Sequence, residues 1–217
     1  MRNKITFNDF ILTFKDCLII TTSDIKKVFP NISSDSTHLW NKKKYITRIG
    51  KGIYFNSYFF KDKLSQDVLF LIANKAYSPS YISLESALSY YELIPEAVTN
   101  ITSVTTKKTN TINYDLGQFI YQSIKPTLMF DFDIVKKNNF NYKIATPEKA
   151  LADYFYLNPS IDNIDSFYEL RINPLVFKEL INPDTLLSVT KRFDTKSLTK
   201  RVLNFLKYIT NDKSKQY

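Results

Sequence analysis

The stretch "YITRIGKGIYFN", residues 45–56, holds two of the three glycines in a chain of 217 residues, Gly50 and Gly52, with Lys51 between them. On either side of "GKG" the residues are β-branched and aromatic. The pattern predicts two short strands joined by a tight turn. Hairpin turns need positive φ, which glycine reaches without a steric penalty. The turn would carry Lys51 at its apex, and Arg48 stands on the incoming strand.

What precedes the hairpin gives it meaning. "TFNDFILTFKD" places Phe7, Phe10, Ile11 and Phe14 at the spacing of a helix face. "CLIITTSDIKKVFP" offers a short β-branched run, Leu18 to Thr21, then Thr22 or Ser23 as cap of a helix with Ile25, Val28 and Phe29 on its apolar side. Pro30 ends that helix. In "NISSDSTHLWNKKKY" either Ser33 or Ser34 can cap another helix, with Ile32 and Leu39–Trp40 turned inward. Its open side would show Asp35, Ser36, Thr37, His38, Asn41, Lys42 and Lys43.

Two short helices joined by a turn, the second polar and then basic, describe a helix-turn-helix. A two-stranded ribbon directly after them is the wing of a winged helix. The start of a recognition helix lies against base edges, here Ser34, Ser36, Thr37 and His38, and its basic end meets phosphates through Lys42 and Lys43. Arg48 and Lys51 would carry the wing's charge to the DNA backbone. Winged helices often end the recognition helix on a left-handed glycine. That place falls here to Lys43, Lys44 or Tyr45.

Charge agrees with a polyanion partner. The net charge is +9. Residues 1–60 carry 10 basic and 4 acidic side chains, residues 190–217 carry 8 and 2, and the middle carries 12 and 15. Such segregation indicates a polyanion more strongly than the net value does. One cysteine, Cys17, excludes an internal disulfide, and with one histidine, His38, it makes neither a zinc site of the usual composition nor a recognisable Cys–His nucleophile. No apolar run reaches the roughly 18–20 residues of a membrane span, and the N-terminus lacks the pattern of a secretory signal. A cytoplasmic protein without metal or cofactor is expected.

The fold class expected is α+β, with a winged helix-turn-helix over residues 1–60 and an α/β domain over residues 61–217. "LSQDVLFLIANKAY" and "YISLESALSYYELIP" read as helices, the second capped at Ser83. From Ile101 to Thr146, short β-branched and aromatic runs predict a small, mostly antiparallel sheet. "TPEKALADYFYL" restarts helix, with Thr146 as cap, Pro147 in the first turn and Glu148 on the helix dipole. Asn173–Pro174 and Asn182–Pro183 repeat that logic. The last helix, "SLTKRVLNFLKYI", would bury Leu198, Val202, Phe205, Leu206 and Ile209 and show Lys200, Arg201 and Lys207. The end, "TNDKSKQY", is expected to fray.

"PSYISLESALSYYELIPE", "ITSVTTKKT" and "IATPEKALADYFYL" together resemble the AbiEi-type antitoxins, predicted transcriptional regulators of viral defence. The likeness covers roughly residues 60–160, and the N-terminal winged helix agrees with that family's domain order. The resemblance implies an antitoxin of a two-gene phage-defence (abortive infection) operon. Its winged helix would bind inverted repeats in double-stranded promoter DNA and repress transcription. Its C-terminal domain would counteract a nucleotidyltransferase toxin without a stable complex. By matched position the implied DNA contacts are Ser36, Thr37, Asn41, Lys42, Arg48 and Lys51. Lys107 and Lys108, closing the "TSVTTKK" strand, join Lys200 and Arg201 as a candidate basic surface of the C-terminal domain. No catalytic residue is implied.

An enzyme would have to be built on carboxylates. "FDFD" puts Asp131 and Asp133 at period two, on one side of a strand, where a pair can hold Mg²⁺. The chain has no Gly-Ser helix start to grip a triphosphate and no phosphate-binding glycine loop. Strand-edge or turn carboxylates are the expected reading. A winged-helix regulator of some other operon, with a ligand- or partner-binding rear domain, is the other binding-module reading.

Overall fold

A computed structural model describes residues 5–96, 98–137 and 139–211. The terminal residues 212–217, within the stretch expected to fray, lie outside the described residues. The chain forms two compact units, Met1–Tyr77 and Ser78–Tyr217. The class is α+β, with a three-stranded and a six-stranded sheet among the described residues. No described helix is long and apolar enough to cross a membrane.

The first unit runs α1 (Phe7–Thr13), β1 (Ile19–Thr21), α2 (Thr22–Val28), α3 (Ser34–Lys42), β2 (Thr47–Gly50), β3 (Ile53–Phe55), α4 (Ser57–Phe60), a 3-10 turn and α5 (Gln66–Ala76). The first two helices open on capping boxes, in which the cap hydroxyl accepts from the third helical N–H and that residue's side chain accepts in return. The pairs are Thr6 with Asp9 and Thr21 with Asp24. The cap of α2 is therefore Thr21, one residue before the Thr22 or Ser23 the sequence offered. The strand order is β1-β3-β2, all antiparallel. Phe10, Ile11, Phe14, Ile20, Ile25, Trp40 and Ile46 form the core.

The first compact unit runs past residue 60, through Tyr77. α5 packs on β2 and β3, burying Val68, Phe70, Leu71 and Ile72. An amphipathic helix goes where its apolar side is covered, and here the hairpin's back face covers it.

Acid will weaken the second capping box. Thr21 donates from both its amide and its hydroxyl to Asp24 Oδ2, at 3.0 and 2.6 Å. These bonds, chiefly that from the hydroxyl, hold the Asp24 carboxyl below its ordinary pKa. A depressed folded pKa contributes stability above the ordinary carboxylate range, and that stability is lost as pH falls through the folded value. Thr21→Val should cost about 1 kcal/mol at pH 7. The gap from wild type should narrow as pH falls through and below the ordinary carboxylate range, as read by urea unfolding followed through Trp40. A gap independent of pH would remove Asp24 from the account.

The second unit contains β4 (Ser80–Ile82), α6 (Leu84–Tyr90), β5 (Ile101–Thr105), β6 (Asn110–Tyr114), β7 (Gly117–Ser123), a 3-10 turn at Pro126–Leu128, β8 (Phe132–Lys137) and β9 (Phe140–Ala145). Five helices follow: α7 (Pro147–Leu157), α8 (Ile164–Glu169), α9 (Pro174–Leu180), α10 (Pro183–Lys191) and α11 (Lys196–Asn211). The sheet order is β6-β7-β5-β4-β9-β8. β4 runs parallel to β9 and β5 parallel to β7, while the other neighbours are antiparallel. The sheet is thus mostly antiparallel, in three of its five pairings, and larger than the small one expected. β4, which the sequence presented as the lead-in to a helix, is its fully buried inner strand. Thr146, Asn173 and Asn182 cap α7, α9 and α10 as expected.

Candidate nucleic-acid interface

The candidate residues of the first unit lie on α3 and the hairpin. Ser33 accepts the amide of Asp35 and is the cap of α3, so Ser34 is the first helical residue. Ser34, His38, Lys42, Lys43, Arg48 and Lys51 are exposed, while Ser36, Thr37 and Asn41 are half-buried. Thr37 donates its hydroxyl to Ser34 O at 2.9 Å, within the helix. Asn41 is tied inward: its side-chain oxygen accepts the Arg48 amide at 2.8 Å. That bond brings the basic end of α3 beside strand β2. Asn41 is thus a brace between two charged elements, with its acceptor oxygen already occupied.

The helix ends where the sequence left three possibilities. Lys43 is the C-cap, and Lys44 takes the left-handed place at φ 61°. An L residue there costs roughly 1–2 kcal/mol. Lys43 Nζ lies 5.9 Å from the centre of the Tyr45 ring. Lys42, Lys43, Arg48 and Lys51 form no ion pair with a carboxylate among the described residues, so their charge faces solvent.

The two glycines do different work. Gly50 pairs with Ile53, which leaves Lys51 and Gly52 as the turn. Only Gly52 has positive φ, 67°. Its carbonyl accepts the Thr22 amide at 2.8 Å and the Thr22 hydroxyl at 3.3 Å. A Cβ on Gly52 would sit 2.7 Å from Thr22 Oγ1, whereas one on Gly50 would make ordinary contacts at 3.5 Å. Gly52→Ala should therefore destabilise the first unit by about 2 kcal/mol, and Gly50→Ala by less than about 0.5 kcal/mol. Trp40 fluorescence during urea unfolding reads both. Equal losses would reject the assignment of the turn to Gly52.

In the second unit the candidate basic residues separate. Lys107 and Lys108 are exposed just after β5, and Lys200 is exposed on α11. Arg201 is not a surface cation. It is half-buried, and its guanidinium donates to Phe155 O at 2.8 Å. The helix turns Arg201 towards α7 because the apolar stripe of Leu198, Val202 and Phe205 beside it packs inward. Asp131 and Asp133 do not share a strand side either. Asp131 precedes β8 at φ 50° and pairs with Arg192 at 2.9 and 3.0 Å, while Asp133 is exposed on β8. No group of three or more His, Cys, Asp or Glu among the described residues is placed to hold a metal ion.

Sequence reasoning missed the charged centre of this unit. Lys149 and Asp153, one helical turn apart on α7, are both 0% exposed and paired. Lys149 Nζ also donates to Tyr81 Oη at 2.8 Å. Tyr81 Oη and Ser83 Oγ donate to Asp153 Oδ2 at 2.8 and 2.9 Å. Phe193, Phe130 and Tyr81 present their rings to Lys149 Nζ, with centroids at 4.8, 4.9 and 5.3 Å. Ser83, expected to cap α6, makes no cap bond because its hydroxyl serves Asp153. Burial pushes the Asp153 carboxyl up and the Lys149 ammonium down, each drawn back by the other's charge. Burial also raises the Tyr81 phenol far above its ordinary value, so it stays a donor.

The three stretches that carried the family likeness meet around this pair. Tyr81 and Ser83 come from "PSYISLES". Lys149 and Asp153 come from "TPEKALADYF". Thr102, from "ITSVTT", donates to Ser83 O at 2.8 Å and accepts the Ser86 amide at 2.9 Å. The signal available was a Lys and an Asp spaced by four within an otherwise Ala- and Leu-rich helix. No protein-family model and no curated protein matches the chain.

Proposed function

We propose that the protein is the antitoxin and autorepressor of a two-gene phage-defence operon, with no enzymatic activity of its own. The first unit is read as a winged helix-turn-helix, in which α3 is the recognition helix and β2–β3 the wing. One observation carries the DNA-binding half: the exposed cations at the end of α3 and those of the hairpin are braced together by the Asn41–Arg48 bond. Phosphates attract such a surface through counterion release, independently of sequence. Base readout falls to Ser34, Ser36 and His38 at the open start of α3. The antitoxin half rests on the likeness of the three stretches to AbiEi-type proteins. The partners are inverted repeats in promoter DNA and a nucleotidyltransferase toxin, countered without a stable complex. Placement in the cytoplasm follows from both.

Co-expression with the neighbouring gene product tests this. Growth should be arrested without the protein and restored with it. A Lys42→Ala/Arg48→Ala/Lys51→Ala variant should lose promoter repression and keep protection. Loss of both functions by the folded variant would join the two jobs at one surface. The second reading is a regulator of another operon with a ligand-binding rear unit. It is favoured by a pocket of about 330 Å³ lined by Leu84, Glu85, Asn100, Gln122 and Asn158, the lower end of ligand size. A neighbouring gene product without toxicity, together with retained operator binding, would select it.

A further inference from the structure

Most exposed large apolar side chains of the second unit gather on three helices. Ile164 and Tyr168 of α8 are each 68% exposed, Leu175 of α9 is 74% exposed, and Leu203 of α11 is 41% exposed. α8 and α11 lie side by side, joined by Phe167, whose ring centre is 5.6 Å from that of Phe205 and 5.8 Å from that of Tyr208. Between the two helices runs an open cleft of about 840 Å³. Exposed apolar side chains on neighbouring helices beside a cleft mark an interaction surface.

The charges around it say what fits there. Asp165 and Glu169 lie one turn apart on the exposed side of α8. On α11, Lys200 and Lys207 stand on either side of Leu203, also within one helical stripe, and Lys207 lines the cleft together with Asp165. None of these four charges is ion-paired within the chain among the described residues. An acidic helix and a basic helix set beside each other, each with exposed apolar residues, form a self-complementary patch. A two-fold interface requires that property, because the same surface meets itself with the helices exchanged.

We propose that this face binds a second copy of the chain. α8 of each protomer lies against α11 of the other, with Ile164, Tyr168 and Leu203 at the centre and the acid–base pairs around them. The inference does not depend on DNA binding or on a toxin, since all its residues belong to the second unit.

Sedimentation equilibrium of the full chain tests it. Wild type should show a concentration-dependent mass approaching twice 25.4 kDa, and the dissociation constant should rise with salt. Asp165→Lys/Glu169→Lys should weaken self-association at least tenfold, because it faces like charges across the interface, and Lys200→Glu/Lys207→Glu should do the same. Mixing the two variants restores opposite charges at both contacts, so a heterodimer should form that neither variant makes alone. Circular dichroism confirms that these exposed substitutions leave the fold intact. A wild type that remains monomeric at 100 µM protein, about the upper range for a weak interface, would overturn the proposal. So would a dimer that both reversals leave untouched, or variants that fail to rescue each other.

Discussion

Asp153→Ala is expected to lower the stability of the second unit by about 3–5 kcal/mol, the cost of removing one partner from a buried ion pair. The lost carboxylate leaves Lys149 Nζ with one neutral acceptor, Tyr81 Oη, in a site of zero exposure. It also strips Tyr81 Oη and Ser83 Oγ of the acceptor they share. The rings of Phe130 and Phe193 favour a cation nearby but accept no conventional hydrogen bond. Removing both charges together is a different matter. Lys149→Met/Asp153→Leu strands no charge, keeps the volume apolar, and should cost less than the single substitution. The chain's only tryptophan, Trp40, sits in the first unit, so its fluorescence is blind to this change. Far-ultraviolet circular dichroism in urea reports the second unit. A double variant as damaged as Asp153→Ala would show that the hydroxyl network, rather than charge pairing, holds the site.

The second large effect concerns DNA. Arg48→Ala/Lys51→Ala should reduce affinity for any duplex by about 30- to 100-fold at low salt. The log–log salt dependence should flatten by about 1.8, close to 0.9 for each phosphate contact removed. Arg48 is already oriented, since its Nε donates to Gly50 O at 3.2 Å. Ser36→Ala or Thr37→Ala should alter the ratio of operator to random binding only if those side chains reach base edges. Thr37, bonded to Ser34 O, is expected to leave that ratio unchanged. Filter binding over a range of salt concentrations separates the two classes. An unchanged slope in the Arg48/Lys51 variant would take the hairpin out of the interface.

Where the chain was legible, a local rule and the tertiary fold agreed. Asn173–Pro174 and Asn182–Pro183 start helices because the cap oxygen, the fixed φ of proline and its missing donor all act within four residues. The hairpin at 45–56 was readable for the same reason. β4 was not. Three residues, "SYI", are too few for a period to show, and only their neighbours β5 and β9 make them a strand. Ser83 carried a correct cap signature and was diverted by a carboxylate 70 residues away. Lys149 and Asp153 drew no reading at all, since nothing local reveals that α7 is covered on every side there. Arg201 failed likewise: helical spacing put it on the exposed side with Lys200 and Lys207, and a carbonyl on α7 decided its direction. α5 read correctly as a helix, but its partner was a matter of packing, which periodicity does not encode.

The bond from Thr22 to Gly52 reaches beyond the turn it closes. With its tip held to α2 and its base paired to β1, the hairpin has few torsions left to freeze when a rigid partner arrives. Docking on this surface should proceed nearly as a rigid-body encounter, with a small heat-capacity change and fast association, unlike the large calorimetric signature of a segment that orders on contact. Thr22→Val removes the 3.3 Å hydroxyl bond and keeps the 2.8 Å amide bond, so it should slow association only slightly, without removing a single positive charge.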